Sequence, residues 1–325
     1  MKGSKMRQLV GLEIASISSG VGQVVGPLLG HAPGGQSLLF AAVQDGSQVG
    51  RWDIDTGEMI WCDGEGVPGC NDQVLVPVPG EGLLLAVATE SGIEWWDALT
   101  GQYRPDMTWD GWTVWALSAG TSPDGRSMLF GAGHNGVVYR WDGTTGELLG
   151  TSPEREEPGS MMAVAFVPLL DSQGIVVSGD DAGRIWCWDP VTGDQIGEPI
   201  LAHASPVRII QALPTEDPLF VSSDQAGVLQ RWRATTDVPV VPVGAPIECG
   251  TEVYALTTAK VGEVAVLFAA GADEAVRVWD AETGEPIKFS NRSIVVSALT
   301  GSNDAAFLAT STTRGDIIVH KCVFC

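Results

Sequence analysis

Six tryptophans set a period that few folds can accommodate. Trp52, Trp96, Trp141, Trp188, Trp232 and Trp279 lie 44, 45, 47, 44 and 47 residues apart, each after a short apolar run. Five are followed by Asp (Asp53, Asp97, Asp142, Asp189 and Asp280) and a turn containing Thr-Gly, as in "VYRWDGTTGELLG" at 138–150. The unit around Trp232 is degenerate, with Arg233 and "ATTD" in their place. Counting 41 on from Trp279 reaches His320 in "GDIIVHK", a similar strand without its Trp. Seven units of this length cannot each bury their apolar surface alone. They must stack on one another, as a propeller or a solenoid.

Within a unit the pattern is four short strands. Residues 112–142, "WTVWALSAGTSPDGRSMLFGAGHNGVVYRWD", read as strand, Pro-Asp-Gly turn, strand, Asn-Gly turn, strand, and "GELLG" begins a fourth. Runs such as "VVSG" and "LLLAVA" are apolar on both faces, as sheets stacked between two neighbours require. No sustained 3.6-residue period is present, so almost no helix is expected. Forty-one glycines and nineteen prolines, spread evenly, fit many strands joined by turns, and 44% hydrophobic residues supply a core.

The Trp-Asp plus Thr-Gly signature, repeated five times at this spacing, resembles the WD-repeat β-propeller family over nearly the whole chain. The style of repeat is similar to bacterial, especially actinobacterial, members. The resemblance implies an all-β, seven-bladed β-propeller of four-stranded antiparallel blades, with residues 1–325 as one unit. The last repeat runs out after its third strand, at "IIVHKCVFC", while "RQLVGLEI" (7–14) aligns with the fourth-strand segment "DQIGEPIL" (194–201). Residues 7–14 are therefore expected to complete the blade made by residues 292–325, closing the ring and removing its exposed edges. The family often buries a His, Ser or Thr, Asp and Trp network in each blade, with Asp six positions before Trp. Here that position holds Gly46, Glu90, Asn135, Ala182, Ala226, Asp273 and Arg314, so only Asp273 matches, and only His203 keeps the family's histidine. Packing is expected to replace the missing networks.

Two rings of side chains are candidates for function. Acidic residues recur in the turns between second and third strands: Asp45, Glu90, Asp180, Asp181, Asp224, Asp273 and Glu274. In a propeller these turns share one face, so their carboxylates are expected to converge on the channel mouth, although Asp and Glu are also ordinary turn residues. A second ring comes from the first strands: Val25, Leu75, Trp115, Ala165, Arg208, Tyr254 and Val296. Trp, Arg and Tyr are the types most enriched at binding hot spots. Trp109, Trp112 and His134 lie in loops of the third unit that would extend this rim. Trp115 reads equally as a contact or as core.

The formal charge of −22, from 40 acidic against 18 basic residues, argues against nucleic acid and anionic membranes and favours a basic partner, or serves solubility. The N-terminus lacks a long apolar run, which points to the cytoplasm and reduced cysteines. No Gly-x-Ser-x-Gly, His-Glu-x-x-His or phosphate-binding loop is present, and no cofactor is called for. Cys322 and Cys325, with His320, have metal-like spacing but lack a second pair; Cys62 and Cys70 flank one loop. The leading expectation is a module that binds a protein or peptide at an acidic, aromatic mouth, or a small molecule in the channel. The rival is an enzyme of hydrolase, lyase or cyclase type, with Asp180, Asp181 and Asp224 as acid and base near Trp115. A deep cavity holding a carboxyl of raised pKa would favour the enzyme.

Overall fold

The structure, a computed structural model, describes all residues except 1–7, 19–23, 33–35, 44–47, 55, 64–68, 81, 156–158, 171–173, 236–239, 274, 291–297, 302–306, 312–315 and 325. The described residues contain strands and turns and no helix, in seven sheets that follow one another around a ring. The first blade is Val24–His31, Ser37–Val43, Gln48–Asp53 and Met59–Asp63. The third to fifth repeat this meander, starting at Val114, Met161 and Val207, and the second does so from Cys70 with a short outer strand, Trp109–Asp110. Neighbouring strands within each meander are antiparallel.

Ring closure pairs strands from opposite ends of the sequence. Gln8–Ser18 runs antiparallel to Asp316–Phe324, from Leu9 opposite Phe324 to Ser18 opposite Asp316, and so forms the outer strand of the seventh blade. The strand is longer than residues 7–14. The sixth blade departs from the common plan. It has three strands, Val253–Val261, Val264–Gly271 and Val276–Asp280, plus a single bridge from Trp279 to Pro286. The chain then crosses over, and Lys288–Ser290 pairs in parallel with Gln8–Val10 on the edge of the seventh blade.

The core is divided among the seven interfaces between blades, because each inner strand alternates its side chains between two neighbours. Every signature Trp faces the preceding blade. Trp141 packs with Trp95 and Val76 of the second blade, and Trp232 with Val177 and Ile185 of the fourth. The residue before each Trp faces the following blade, and its identity alternates. In the second, fourth, sixth and seventh blades it is apolar: Trp95, Cys187, Val278 and Val319. In the first, third and fifth it is a buried arginine that crosses to carbonyls in the next blade's Thr-Gly turn. Arg51 donates to Leu99 O (2.7 Å), Arg140 to Val191 O and Thr192 O (2.9 Å to the latter), and Arg231 to Glu282 O.

The turn itself explains the sequence signature. Asp97, Asp142, Asp189 and Asp280 each accept the backbone N–H groups two and three residues on; Asp189 Oδ1, for example, takes those of Val191 (2.8 Å) and Thr192 (2.7 Å). The Gly then adopts a left-handed conformation, with φ of 77° at Gly101 and 81° at Gly193, which a side chain would strain.

Candidate functional site

The first strands of the first six blades line the central channel, and near their starts the pairing register slips. In five blades one residue is left unpaired between two that pair with the second strand: Asn71, Trp115, Met162, Arg208 and Tyr254. The first blade has a longer slip, between Val25 and Leu28. Such bulges turn a side chain away from the sheet and toward a rim. All five bulged residues, with Gly26 and Pro27, border one cavity of about 880 Å3 inside the ring. Trp115, Arg208 and Tyr254 are thus brought together from three separate repeats. In the second and fourth blades the equivalents are Asn71 and Met162, not Leu75 and Ala165, which lie deeper in the wall. The bulged residues stand 24 to 26 residues before their blade's Trp, whereas Leu75 and Ala165 stand 21 and 23 before theirs, so aligning on apolar runs places these two too far along the strand. Val296 falls outside the described residues, as does the side chain of Val25.

Arg208 is exposed and Tyr254 is 57% exposed. Trp115 is half-buried and meets the ring of His134 edge-on at 5.8 Å, while His134 Nδ1 lies 3.1 Å from Ser160 Oγ. Trp112 stands 60% exposed in the adjacent loop. Trp109 does not join the rim: its ring packs 4.9 Å from Tyr139 and 5.3 Å from Trp141, within the core between the second and third blades.

The carboxylates do not converge as the turn pattern suggests. Asp180, 1% exposed, accepts from Arg155 Nη1 (2.9 Å), Trp186 Nε1 (2.9 Å) and the backbone N–H groups of Ala182 and Arg184. Arg155 also donates to Gly136 O and Gly159 O and lies over the Trp186 ring. Asp224, 2% exposed, is 3.5 Å from His203 Nδ1; His203 Nε2 is 2.7 Å from Ser222 Oγ, which accepts from Trp232 Nε1 at 2.8 Å. A neutral His203 completes this chain of donors, and burial lowers its pKa accordingly, against the pull of Asp224. The fifth blade therefore holds the whole His–Ser–Asp–Trp network, and the fourth keeps a Trp188–Ser178 bond with Arg155 in place of His. The Asp stands eight positions before Trp, at the end of the second strand. Asp273, six positions before Trp279, instead pairs with Arg277 at the surface. Asp181 and Glu90 are exposed in their turns, and Asp181 accepts the Ser160 N–H at 2.9 Å. Asp45 and Glu274 fall outside the described residues.

One carboxyl does line the cavity, and the turn pattern misses it. Asp72 follows the bulged Asn71, and its two oxygens accept the N–H groups of Gln73 (2.8 Å) and, in the next blade, Leu117 (2.7 Å). Burial raises its pKa to about 6, with those two bonds pulling the other way. Asn71 Nδ2 makes a parallel tie to Val114 O at 2.9 Å. A bulge is the available signal here, since it frees side chains at the strand start to reach the neighbouring strand.

The described thiols are buried or half-buried. Cys322 packs between the sixth and seventh blades, where burial pushes its thiol up to about 12, and Cys325 falls outside the described residues. Cys62 and Cys70 are not joined in a disulfide. Among the described residues no three of His, Cys, Asp and Glu cluster as metal ligands, and no helix is long and apolar enough to cross a membrane.

No protein-family profile matches the chain. The ribosome biogenesis protein YTM1 of Meyerozyma guilliermondii is 22% identical over 157 residues, covering 47% of this chain and 32% of that protein. The crystal structure of Chaetomium thermophilum Raptor is similar over 98% of this chain and 29% of its own length, with a TM-score of 0.75 and 14% identity. The likeness is one of fold: a seven-bladed propeller. This chain spans about a third of the length of either protein.

Proposed function

We propose that the chain is a protein- or peptide-binding module, that residues 1–325 act as one unit, and that the partner docks at the bulge-lined mouth of the channel. One observation carries this reading. The register slips in five blades aim Asn71, Trp115, Met162, Arg208 and Tyr254 at a single cavity, on strands fixed by neighbours on both sides. Such a frame presents contact groups at little cost in conformational entropy. Trp112, exposed beside the rim, extends the aromatic area.

The test is capture of partners by the intact protein, followed by affinity measurement with Tyr254→Ala and Arg208→Ala. A hot-spot side chain contributes about 2 kcal/mol or more, so each change should weaken binding by roughly 30-fold. Unchanged affinity in both folded variants would move the site to the opposite face, built from the Thr-Gly turns.

The enzymatic alternative now rests on Asp72 and no longer on Asp180 or Asp224. A carboxyl near pH 6 inside a cavity suits acid–base work. Its two oxygens are nevertheless engaged by backbone N–H groups of adjacent blades, which favours a structural tie. Asp72→Asn keeps one acceptor oxygen and removes the proton transfer. Binding that survives this change, with turnover lost on an identified substrate, would favour the enzyme.

A further inference from the structure

We infer that the mouth recognises a carboxylate of its partner, seated on Arg208 with apolar groups entering the channel beside it; this rests on the binding reading above. The first support is the state of the arginines. Arg51, Arg140 and Arg231 are spent on carbonyls of the next blade, and Arg155 on Asp180. Arg104, Arg126, Arg233 and Arg277 each pair with an acidic neighbour, and Arg184 is also engaged. Among the described arginines Arg208 alone has no acceptor. In a chain with 40 acidic and 18 basic residues, an exposed guanidinium left unpaired stands out against that excess of carboxylates.

The second support is the cavity wall. Its charged residues are Arg208 and Asp72, and Asp72 is already held by two backbone donors. The remaining wall is neutral and largely small or apolar, including Ala116, Ala119, Gly120, Ala163, Ala212 and Ala255. In the ring, Arg208 sits between Met162 and Tyr254, an apolar and an aromatic flank for a side chain next to the bound carboxylate. A guanidinium presents parallel N–H donors that match a carboxylate's two oxygens. Of the turn carboxylates that would have drawn a basic partner, Asp180 and Asp224 lie inside blades, Asp273 is paired, and the exposed Asp181 and Glu90 are not part of the cavity wall. The recognised group is thus an acidic side chain or a free C-terminus, next to an aromatic or aliphatic residue.

The experiment uses the full chain and three synthetic peptides, followed by titration calorimetry to millimolar concentration. One is capped Gly-Phe-Glu-Leu-Gly, the second is Gly-Phe-Gln-Leu-Gly with a free C-terminal carboxylate, and the third is capped Gly-Phe-Lys-Leu-Gly. At least one acidic peptide should bind tenfold or more tighter than the lysine peptide, and which one does so distinguishes side chain from C-terminus. Arg208→Gln should abolish that preference and Arg208→Lys should keep part of it; both are exposed changes that leave the blade intact. An equal or tighter lysine peptide, an undiminished preference in Arg208→Gln, or no acidic peptide binding at all would overturn the inference. If binding lacks a charge preference but is lost in Tyr254→Ala, the mouth survives as the binding site while carboxylate recognition falls. If neither Tyr254→Ala nor Arg208→Gln weakens binding, both readings fall.

Discussion

The interfaces between blades one and two, three and four, and five and six are each crossed by a buried arginine. The other four are closed at the same strand position by Trp95, Cys187, Val278 and Val319. Both solutions stack the same strands, so a charged group is not required to hold two blades together. What the arginine adds is selectivity. It can be buried only where a Thr-Gly turn offers carbonyls, and so it identifies which surface must lie opposite. Burial lowers the pKa of all three arginines, while nearby carboxylates (Asp53, Asp189 with Asp194, and Asp280) oppose the shift.

Exchanging the two solutions should have the largest effect. Val278→Arg would place a cation against the seventh blade, whose described residues supply no Thr-Gly turn to receive it. A destabilisation of about 3–5 kcal/mol is expected, read as a lower denaturant midpoint at unchanged slope. A loss below about 1 kcal/mol would mean that the turn is not what makes the arginine tolerable.

Removing an existing arginine should cost somewhat less. Arg140→Ala removes the bonds to the Val191 and Thr192 carbonyls and empties the space of a buried side chain, and a loss of about 2–4 kcal/mol is expected. Arg51 bonds to the single carbonyl of Leu99, so Arg51→Ala should cost less than Arg140→Ala in the same measurement. Arg140→Met, which keeps the aliphatic volume, should recover part of the loss.

The buried networks permit a finer version of the comparison. Trp232 Nε1 bonds to Ser222, whereas Trp141 Nε1 is buried without a partner. Both Trp→Phe changes lose ring volume, but Trp232→Phe also strips a donor from the Ser222 hydroxyl. It should be the costlier by about 1 kcal/mol. Equal losses in parallel unfolding curves would mean that the network contributes little beyond packing.

The smallest effect expected is on pH dependence. His320 occupies the signature Trp position of the seventh blade, 1% exposed, with both ring nitrogens unpartnered. Burial holds its pKa below the ordinary 6.5, with Glu13 opposing. The unfolded chain therefore takes up the proton first, so this contribution is complete above about pH 6.5 and declines as the pH falls below it. Asp72, held up at about 6, works the other way between about pH 4 and 6. The histidine contribution is thus the difference between wild-type and His320→Phe stability profiles, and its pH-dependent part should level off above about pH 7.

The Trp spacing is enough to count the blades, and the alignment of residues 7–14 with 194–201 is enough to pair the ends, because both follow from repetition. The networks do not repeat in that way, and the bulges, though they recur in five blades, carry no common residue type: Asn71, Trp115, Met162, Arg208 and Tyr254. Leu75 and Ala165 match Trp115 only as neighbours of an apolar run; they stand 21 and 23 residues before their Trp against 26 for Trp115, and so fall four and three residues past the bulged Asn71 and Met162. Counting six residues back from each Trp finds a turn position, such as that of Asp273, where the side chain stays at the surface. The Asp that bonds inside the blade instead ends the second strand, which is why Asp180 and Asp224 are buried and not at the mouth. The usable signal is the repeated Asp-x-Ala-Gly of "DDAG" at 180–183 and "DQAG" at 224–227, where the carboxylate caps the turn that follows it. The alternating arginines are visible as letters before Trp52, Trp141 and Trp232, but their acceptors are carbonyls, which a sequence does not display.

The pairing of Gln8–Ser18 with Asp316–Phe324 also sets an order of events during synthesis. About 300 residues separate the two strands, and at roughly 5–20 residues per second the first waits for its partner for some tens of seconds. Until then the face of the first blade that carries Leu29, Leu39 and Trp52 has nothing from Ala309, Ile317 and Val319 to cover it. The inner blades can stack as they leave the ribosome, while the ring stays an open arc with two sticky ends. Closure is the slow, long-range step. It is also the stage at which two nascent chains can capture each other's ends, so the arc, more than the finished disc, is where this protein is most exposed to misassembly.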